Sequence, residues 1–156
     1  MLFKKKYLLA KIETTYGTDP TPDGSNAVLT KNLSVSVQQG NRVTRDLDRA
    51  TLGNDKEIAT SRYTKVTFEV ELAGSGAAGT APGYGVMLRA CGLSETVTDS
   101  TDATYEPVST DFESVTLWFV NDGQLHKLTG ARGTVSFEMT KDSLPMLKFD
   151  FTGLHN

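Results

Sequence analysis

The segment from residue 63 to residue 92 constrains the fold most strongly. Its first part alternates polar and apolar side chains, as in a β-strand with one face in water and one in a core. The polar set is Thr67, Glu69 and Glu71, and the apolar set is Phe68, Val70 and Leu72. A loop of glycine and alanine follows, and Pro82 then suits the first turn of a short helix. The apolar residues with which this helix would cover the sheet are Val86, Leu88, Cys91 and Leu93.

Most of the remaining chain predicts strands and turns. Strands are predicted at residues 7–15, 27–39, 104–107, 114–119, 124–129, 134–140 and 145–152. Asp122-Gly123 predicts a hairpin turn because both residues tolerate a positive φ angle. Residues 96–104 read as polar turn material, and 131–133 read as a break between strands. We therefore predict a mainly β protein, a β-sandwich or open barrel of about eight strands with one short flanking α-helix.

The length of 156 residues favours a single domain spanning residues 1–156. Residues 1–6 include three consecutive lysines and predict a basic N-terminal arm. They do not predict a signal peptide, because Lys11 ends the apolar run that follows. No apolar run approaches the roughly 20 residues that a membrane-spanning helix needs. We therefore expect synthesis in a cytoplasm-like compartment and no membrane partner.

Residues 40–62 are rich in charge and lack a convincing periodicity, which predicts a long loop. Residues 42–45, at its start, are expected to extend the preceding strand. The cations are Arg42, Arg45, Arg49, Lys56 and Arg62, and the anions are Asp46, Asp48, Asp55 and Glu57. Loops longer than about 12–15 residues are uncommon unless they are functional or disordered. The segment is either a solvated mobile loop or a contact arm that becomes ordered on a partner. Charges of both signs suit a neighbouring protein surface better than a polyanion.

The residues that carry chemistry elsewhere do not form a convincing reactive site here. Residues 74–79 match G-x-G-x-x-G, with Asp99 further on, but the preceding strand alternates instead of being continuously apolar, which argues against a dinucleotide site. Cys91 has no evident base, and His126 lies in a predicted hairpin strand. One cysteine and two histidines do not suit a multi-cysteine or His-rich metal centre. We predict no enzyme activity, no cofactor and no metal.

Charged residues occupy the polar faces of three predicted strands whose other faces are apolar. They are Glu69, Glu71, Glu138, Lys148 and Asp150. One interpretation is an ordinary solvated sheet face. The alternative is a shared concave surface that is wet and negative. The net charge of −3 agrees with a protein that does not grip nucleic acid by neutralising phosphates.

Several segments, taken in their order and spacing, resemble the major tail tube proteins of long, flexible, non-contractile bacteriophage tails. They are LLAKIETTYGTDP at 8–20, ELAGSG at 71–76, GTAP at 79–82, LRACG at 88–92, FESVT at 112–116 and HKLTGARGTVSF at 126–137. The resemblance runs from about residue 7 to the end. It implies a β-sandwich with one helix, whose copies form hexameric rings that stack into a hollow tube conducting DNA during ejection.

The resemblance also implies partners and places. The partners would be other copies of the chain and the tape measure, tail terminator and tail tip proteins, with DNA only in transit. The location would be the virion tail, after synthesis in the host cytoplasm. A second hypothesis is a small β-sandwich binding module, such as a tail-tip, connector or decoration protein of a virion.

Within the tube hypothesis, two sets of residues have an expected position. The lumen-facing set is Glu69, Glu71, Glu138 and Asp150. The set expected between subunits or rings is Arg42, Arg45, Asp46, Asp48, Arg49, Asp55, Lys56 and Glu57. A like-charged lumen would keep DNA hydrated and sliding, whereas a basic lining would hold it.

Overall fold

The computed structural model describes residues 6–48, 50 and 52–155. Their strands are β1 (Lys6–Ile12), β2 (Ala27–Val28), β3 (Lys31–Thr44), β4 (Glu57–Glu71), β5 (Leu93–Thr98), β6 (Asp102–Pro107), β7 (Val115–Asn121), β8 (Gln124–Glu138) and β9 (Met146–Leu154). One α-helix, α1 (Gly85–Ala90), lies between β4 and β5. The predicted mainly β fold with one short helix is confirmed. Residues 1–5 of the predicted basic arm lie outside the described residues, and Lys6 is the first residue of β1.

Seven strands form one antiparallel sheet in the order β2-β1-β7-β8-β9-β4-β3, and β5 and β6 form a separate hairpin. β8 belongs to both halves of the large sheet, because residues 124–131 pair with β7 and residues 132–138 pair with β9. The half β2-β1-β7-β8 and the half β8-β9-β4-β3 contribute to a single hydrophobic core. The end strands β2 and β3 do not pair with each other, so the sandwich is not a closed barrel.

The predicted break at residues 131–133 is wrong, since β8 continues through it for 15 residues. Its glycines permit close packing where the strand passes from one half to the other. A Cβ on Gly133 would lie 2.4 Å from the carbonyl oxygen of Asp150. Gly130 has φ +60° and is approached by Leu154 and Tyr16. Gly130 and Gly133 therefore do not end the strand. They are small because neighbouring segments pack closely against the backbone at these positions.

The core lies between the two halves of the sheet. β4 and β9 contribute three phenylalanines, Phe68, Phe149 and Phe151, whose ring centroids are 5.4–5.9 Å apart. Leu8 and Leu117 face them from β1 and β7 and are fully buried. Burial of each such side chain contributes about 1.5–3 kcal/mol. The alternation of apolar and polar residues in the sequence thus gives each half of the large sheet one apolar face, and the two apolar faces form the core.

The glycine-rich loop before α1 lies against the turn of the β5–β6 hairpin. Gly79 has φ +67°, and a Cβ there would lie 2.2 Å from the backbone nitrogen of Ser100. The chain then turns at Pro82, whose carbonyl accepts a hydrogen bond from Gly85. The helix begins three residues later than Pro82 suggested. Its Arg89 binds Glu113 through two hydrogen bonds of 2.6 Å.

The β5 strand was missed by the prediction of a polar turn at 96–104. β5 (Leu93–Thr98) pairs with β6 (Asp102–Pro107), and only the short connection between them is a turn. The segment is polar because this hairpin lies outside the large sheet and its outer residues are exposed. Tyr105 nevertheless points inward and donates a 2.6 Å hydrogen bond to Glu95.

Candidate functional site

The face of β8-β9-β4-β3 that points away from the core is polar, and we call it the polar face. It carries Lys31, Ser34, Ser36, Lys65, Thr67, Glu69, Glu71, Arg132, Thr134, Ser136, Glu138, Lys148, Asp150 and Thr152, as the strand register and the alternation show. All four carboxylates predicted to share one surface therefore do share it. Glu69 lies opposite Lys148, and Asp150 lies opposite Thr67 on one side and Thr134 on the other.

The expected excess of negative charge on this face is wrong. The sequence pattern placed one cation, Lys148, among four carboxylates, but the register adds Lys31 opposite Glu69 and places Lys65 beside Asp150. Lys31 was missed because β3 pairs with β4 through a bulge, and Lys65 because it lies near the start of the alternating segment. The register also places Arg132 on this face, where its guanidinium donates hydrogen bonds to the Glu113 and Phe112 carbonyls. Four carboxylates, three lysines and this arginine leave the polar face close to neutral.

Two of the lysines form ion pairs with the carboxylates. The Lys65 Nζ lies 2.6 Å from Asp150 Oδ2, and Lys148 pairs with Glu138. Both pairs are diagonal cross-strand pairs on adjacent strands. The hydrogen bond and charge of the partner carboxylate raise the pKa of each lysine, so both ammonium groups stay protonated.

The predicted loop at 40–62 is largely a hairpin, and its bounds need correction. β3 extends to Thr44 and β4 begins at Glu57, so the connection between the two strands spans residues 45–56, of which 45–48, 50 and 52–56 are described. Across the hairpin, Arg42 Nη1 lies 3.3 Å from Glu57 Oε2. The sequence lacked a clear period here because this part of the hairpin extends beyond β9 and both of its faces are exposed.

The connection at the hairpin tip is partly organised by its own polar groups. The Leu47 backbone N–H donates a 2.8 Å hydrogen bond to Asp55 Oδ2. The other charged residues expected at a subunit contact, Arg45, Asp46, Asp48 and Lys56, are exposed, and Arg49 lies outside the described residues. Exposed apolar side chains accompany them, namely Val43, Leu47, Leu52 and Ile58.

The half-sheet that carries the polar face has two open edges. β3 pairs with β4 along one side, and no described strand pairs with its other side. At the opposite end of the half-sheet, residues 132–138 of β8 pair with β9, and their outer side lacks a partner strand within the described ranges. Unpaired edges of this kind are templates for pairing with another chain. Val37 on β3 and Phe137 on β8 are more than half exposed next to them.

An apolar groove opens at the end of β4 remote from the hairpin tip. Its volume is about 570 Å³, and it lies between the glycine-rich loop and the β5–β6 hairpin. The groove is lined among others by Leu72, Tyr84, Leu88, Leu93, Tyr105 and Phe137. The molecule thus presents exposed apolar side chains at one end of β4 and an apolar recess at the other.

A buried carboxylate that the sequence did not reveal joins β1 to β7 and β8. Glu13 is 7% exposed and accepts four hydrogen bonds, from the Ser114 and Thr116 hydroxyls and from the Gly17 and Gly130 backbone N–H groups. Burial alone would raise the pKa of this carboxyl, but the hydrogen bonds outweigh burial and hold the pKa below its ordinary value. Only Gly17 is close to Glu13 in sequence, and the other three donors are 101–117 residues away, so no local pattern reveals the arrangement.

Cys91 and His126, the residues considered above for a reactive site, contribute to packing in the structure. Burial raises the pKa of the Cys91 thiol to about 12, which keeps the thiol protonated near neutral pH. His126 stacks on Phe119 with ring centroids 4.9 Å apart. Within the described part of the chain, no group of three or more His, Cys, Asp or Glu side chains could hold a metal ion. None of the described helices combines the length and the apolar character needed to cross a bilayer.

Comparison with known families decides the identity. A family described as phage tail tube protein matches residues 4–155. The chain belongs to this family. A search of curated proteins gives no match. A tail tube protein is a structural component of the virion tail, and membership implies assembly with further copies and with other tail proteins. The family is not known for enzymatic activity.

Proposed function

We propose that this tail tube protein closes into rings, and that the rings stack into the hollow tube through which phage DNA passes during ejection. The observation that carries the proposal is the pair of open edges on the half-sheet β8-β9-β4-β3. Pairing β3 of one copy with β8 of the next would satisfy both edges and give a continuous barrel, which has no edge. Six copies per ring and a long non-contractile tail follow from the sequence resemblance.

The strand directions favour this closure. Neighbouring strands in β8-β9-β4-β3 are antiparallel, so β3 and β8 run in opposite directions. Rotation about an axis along the barrel preserves the direction of every strand. β3 therefore meets β8 of the next copy in antiparallel orientation, and the alternation continues around the ring. Val37 and Phe137 lie on the core side of their strands, so the joint would also bury apolar surface.

The same closure assigns the polar face to the lumen. One face of the half-sheet packs on the core, so the other half and the helix must lie outside the barrel. The polar face then lines the channel and presents Glu69, Glu71, Glu138 and Asp150 to passing DNA. Among the described residues this face is close to neutral, which suits a surface that DNA passes without being held.

Axial stacking would use the two unlike ends of the molecule. The β3–β4 hairpin tip lies at one end of β4 and the apolar groove at the other. Contacts between unlike patches do not close on themselves and generate a filament. We propose that the hairpin connection, residues 45–56, contacts the adjacent ring. Its charged residues Arg45, Asp46, Asp48, Asp55 and Lys56, together with the Arg42–Glu57 pair and Arg49, would lie at this junction.

Negative-stain electron microscopy of the purified protein over a concentration series tests the proposal. Rings and tubes with a central channel are expected. Particles that remain globular at every concentration would refute self-assembly and favour the binding-module hypothesis. Binding of the tape measure, tail terminator and tail tip proteins can be measured on assembled tubes.

A further inference from the structure

We propose that the carboxylates of the polar face act as intramolecular competitors for its lysines. They occupy the ammonium groups that would otherwise bind DNA phosphates. The proposal rests on the proposed function for its biological meaning, since it explains how a lumen that contains lysines can let DNA pass. It differs from simple repulsion because it assigns the carboxylates a role toward neighbouring lysines and not toward DNA.

The contacts on the polar face carry the argument. Lys65 binds Asp150 at 2.6 Å, and Lys148 is paired with Glu138 while Glu69 lies directly opposite on the other side. Lys31 is the register partner of Glu69 on β3. Each lysine of this face therefore has a carboxylate on an adjacent strand. A phosphate group that approaches such a lysine must displace an anion already bound or close by.

The lysines are accessible enough to bind phosphate if the carboxylates are neutralised. The side chains of Lys65 and Lys148 are 42% and 46% exposed. The two ammonium groups lie on one face with Lys31, along a surface where Thr67, Thr134 and Ser136 add hydroxyl groups. Each cation that neutralises a phosphate adds about 0.9 to the dependence of log K on log salt concentration. Three released lysines would thus give a slope of about −2 to −3.

The ion pairs also provide a reason for the presence of lysines on the polar face. Carboxylates alone, on adjacent strands, would repel one another, and like charges directly opposite each other destabilise a sheet. Rotation around a ring would repeat that repulsion in every copy. Opposite charges on adjacent strands reduce the repulsion within the sheet, and each lysine of this face has a neighbouring carboxylate that competes with phosphate.

The test uses the triple variant Glu69→Gln, Glu138→Gln, Asp150→Asn and a short fluorescent DNA duplex, followed by anisotropy between about 50 and 200 mM salt. Protein is kept at a concentration where light scattering shows single chains. The matched control Asp99→Asn, Glu106→Gln, Asp111→Asn changes the net charge equally at exposed positions away from the polar face. Exposed ion pairs contribute little to stability, so circular dichroism should show that the triple variant is folded.

We expect the triple variant to bind the duplex with the steep salt dependence given above, while the wild type and the control variant bind much more weakly. Adding Lys65→Gln and Lys148→Gln should remove the gained binding. Equal binding by the triple variant and the control, or wild-type binding as tight as that of the triple variant, would overturn the proposal.

The single variant Asp150→Asn, which releases Lys65 alone, provides the same comparison with a slope of about −1 if the triple variant does not fold. The measurement needs no assembled tube. Failure to form tubes would therefore refute the proposed function without deciding this inference, and the reverse also holds.

Discussion

The buried carboxylate Glu13 offers the sharpest test of how the sandwich is held together. Its Oε2 accepts hydrogen bonds from Gly17 N (2.8 Å) and Ser114 Oγ (2.6 Å). Its Oε1 accepts from Thr116 Oγ1 (2.6 Å) and Gly130 N (2.7 Å). Each oxygen thus faces one hydroxyl and one backbone N–H. A Glu13→Gln substitution preserves the shape of the side chain and replaces one acceptor oxygen by an NH₂ donor.

The expected cost follows from this geometry. A hydroxyl can rotate to accept a hydrogen bond from the new NH₂ group, but a backbone N–H cannot. In either orientation of the amide, one buried N–H, that of Gly17 or Gly130, therefore faces another donor. An unsatisfied buried donor costs about 1–3 kcal/mol, and the remaining hydrogen bonds lose the strength that the charge gave them. We expect Glu13→Gln to lower the free energy of unfolding by about 2–4 kcal/mol, or the melting temperature by about 5–15 °C.

The pH dependence of this loss is also determined. Because the folded-state pKa of Glu13 is depressed, its contribution is fully present above the pKa of the unfolded chain and is lost as pH falls through the lower folded-state value. The difference between wild type and variant should therefore be constant above about pH 5 and shrink below it.

Urea unfolding followed by circular dichroism at several pH values, below the assembly concentration, measures both quantities. Glu106→Gln is the control, since Glu106 is exposed, and it should change stability by less than about 0.5 kcal/mol. If Glu13→Gln is as mild as this control, or if the difference grows toward acid pH, the reasoning fails.

Three further outcomes are expected. Phe137→Ser should leave the single chain folded, because this side chain is 60% exposed, but should weaken ring formation in microscopy. The control change Leu125→Ser, at a side chain that is 46% exposed and lies on the part of β8 paired with β7, should not, and equal effects would contradict the edge-pairing scheme. Gly79→Ala should destabilise the chain by at least about 1–2 kcal/mol in urea unfolding, because φ is positive and a Cβ meets backbone, whereas Gly83→Ala, with nothing within 4 Å, should be nearly neutral. Residues 45–56 should gain hydrogen-exchange protection on assembly, and unchanged protection would remove them from the ring junction.

Much of the fold could be predicted because alternation is a local property. The strands around Phe68, Trp118 and Phe149 were placed correctly, and the Asp122-Gly123 turn has the expected positive φ angles. The continuity of β8 could not be predicted, because Gly130 and Gly133 indicate a break unless the residues packed against them are known. The same limit hid β5, whose polar residues pair only with β6 outside the main sheet.

The polar face likewise has features that local alternation predicts and features that depend on cross-strand pairing. The sequence alone determined that Glu69, Glu138 and Asp150 each lie on the polar side of their own strand, because side chains two residues apart point to the same side of a strand. Only the tertiary structure decided that these polar sides form one face and that Lys31 and Lys65 join Lys148 there. Cross-strand partners such as Lys65 and Asp150 are distant in the chain, and their pairing depends on the register that the packed core imposes. For the same reason the open edges of β3 and β8 became visible only once the sheet was assembled.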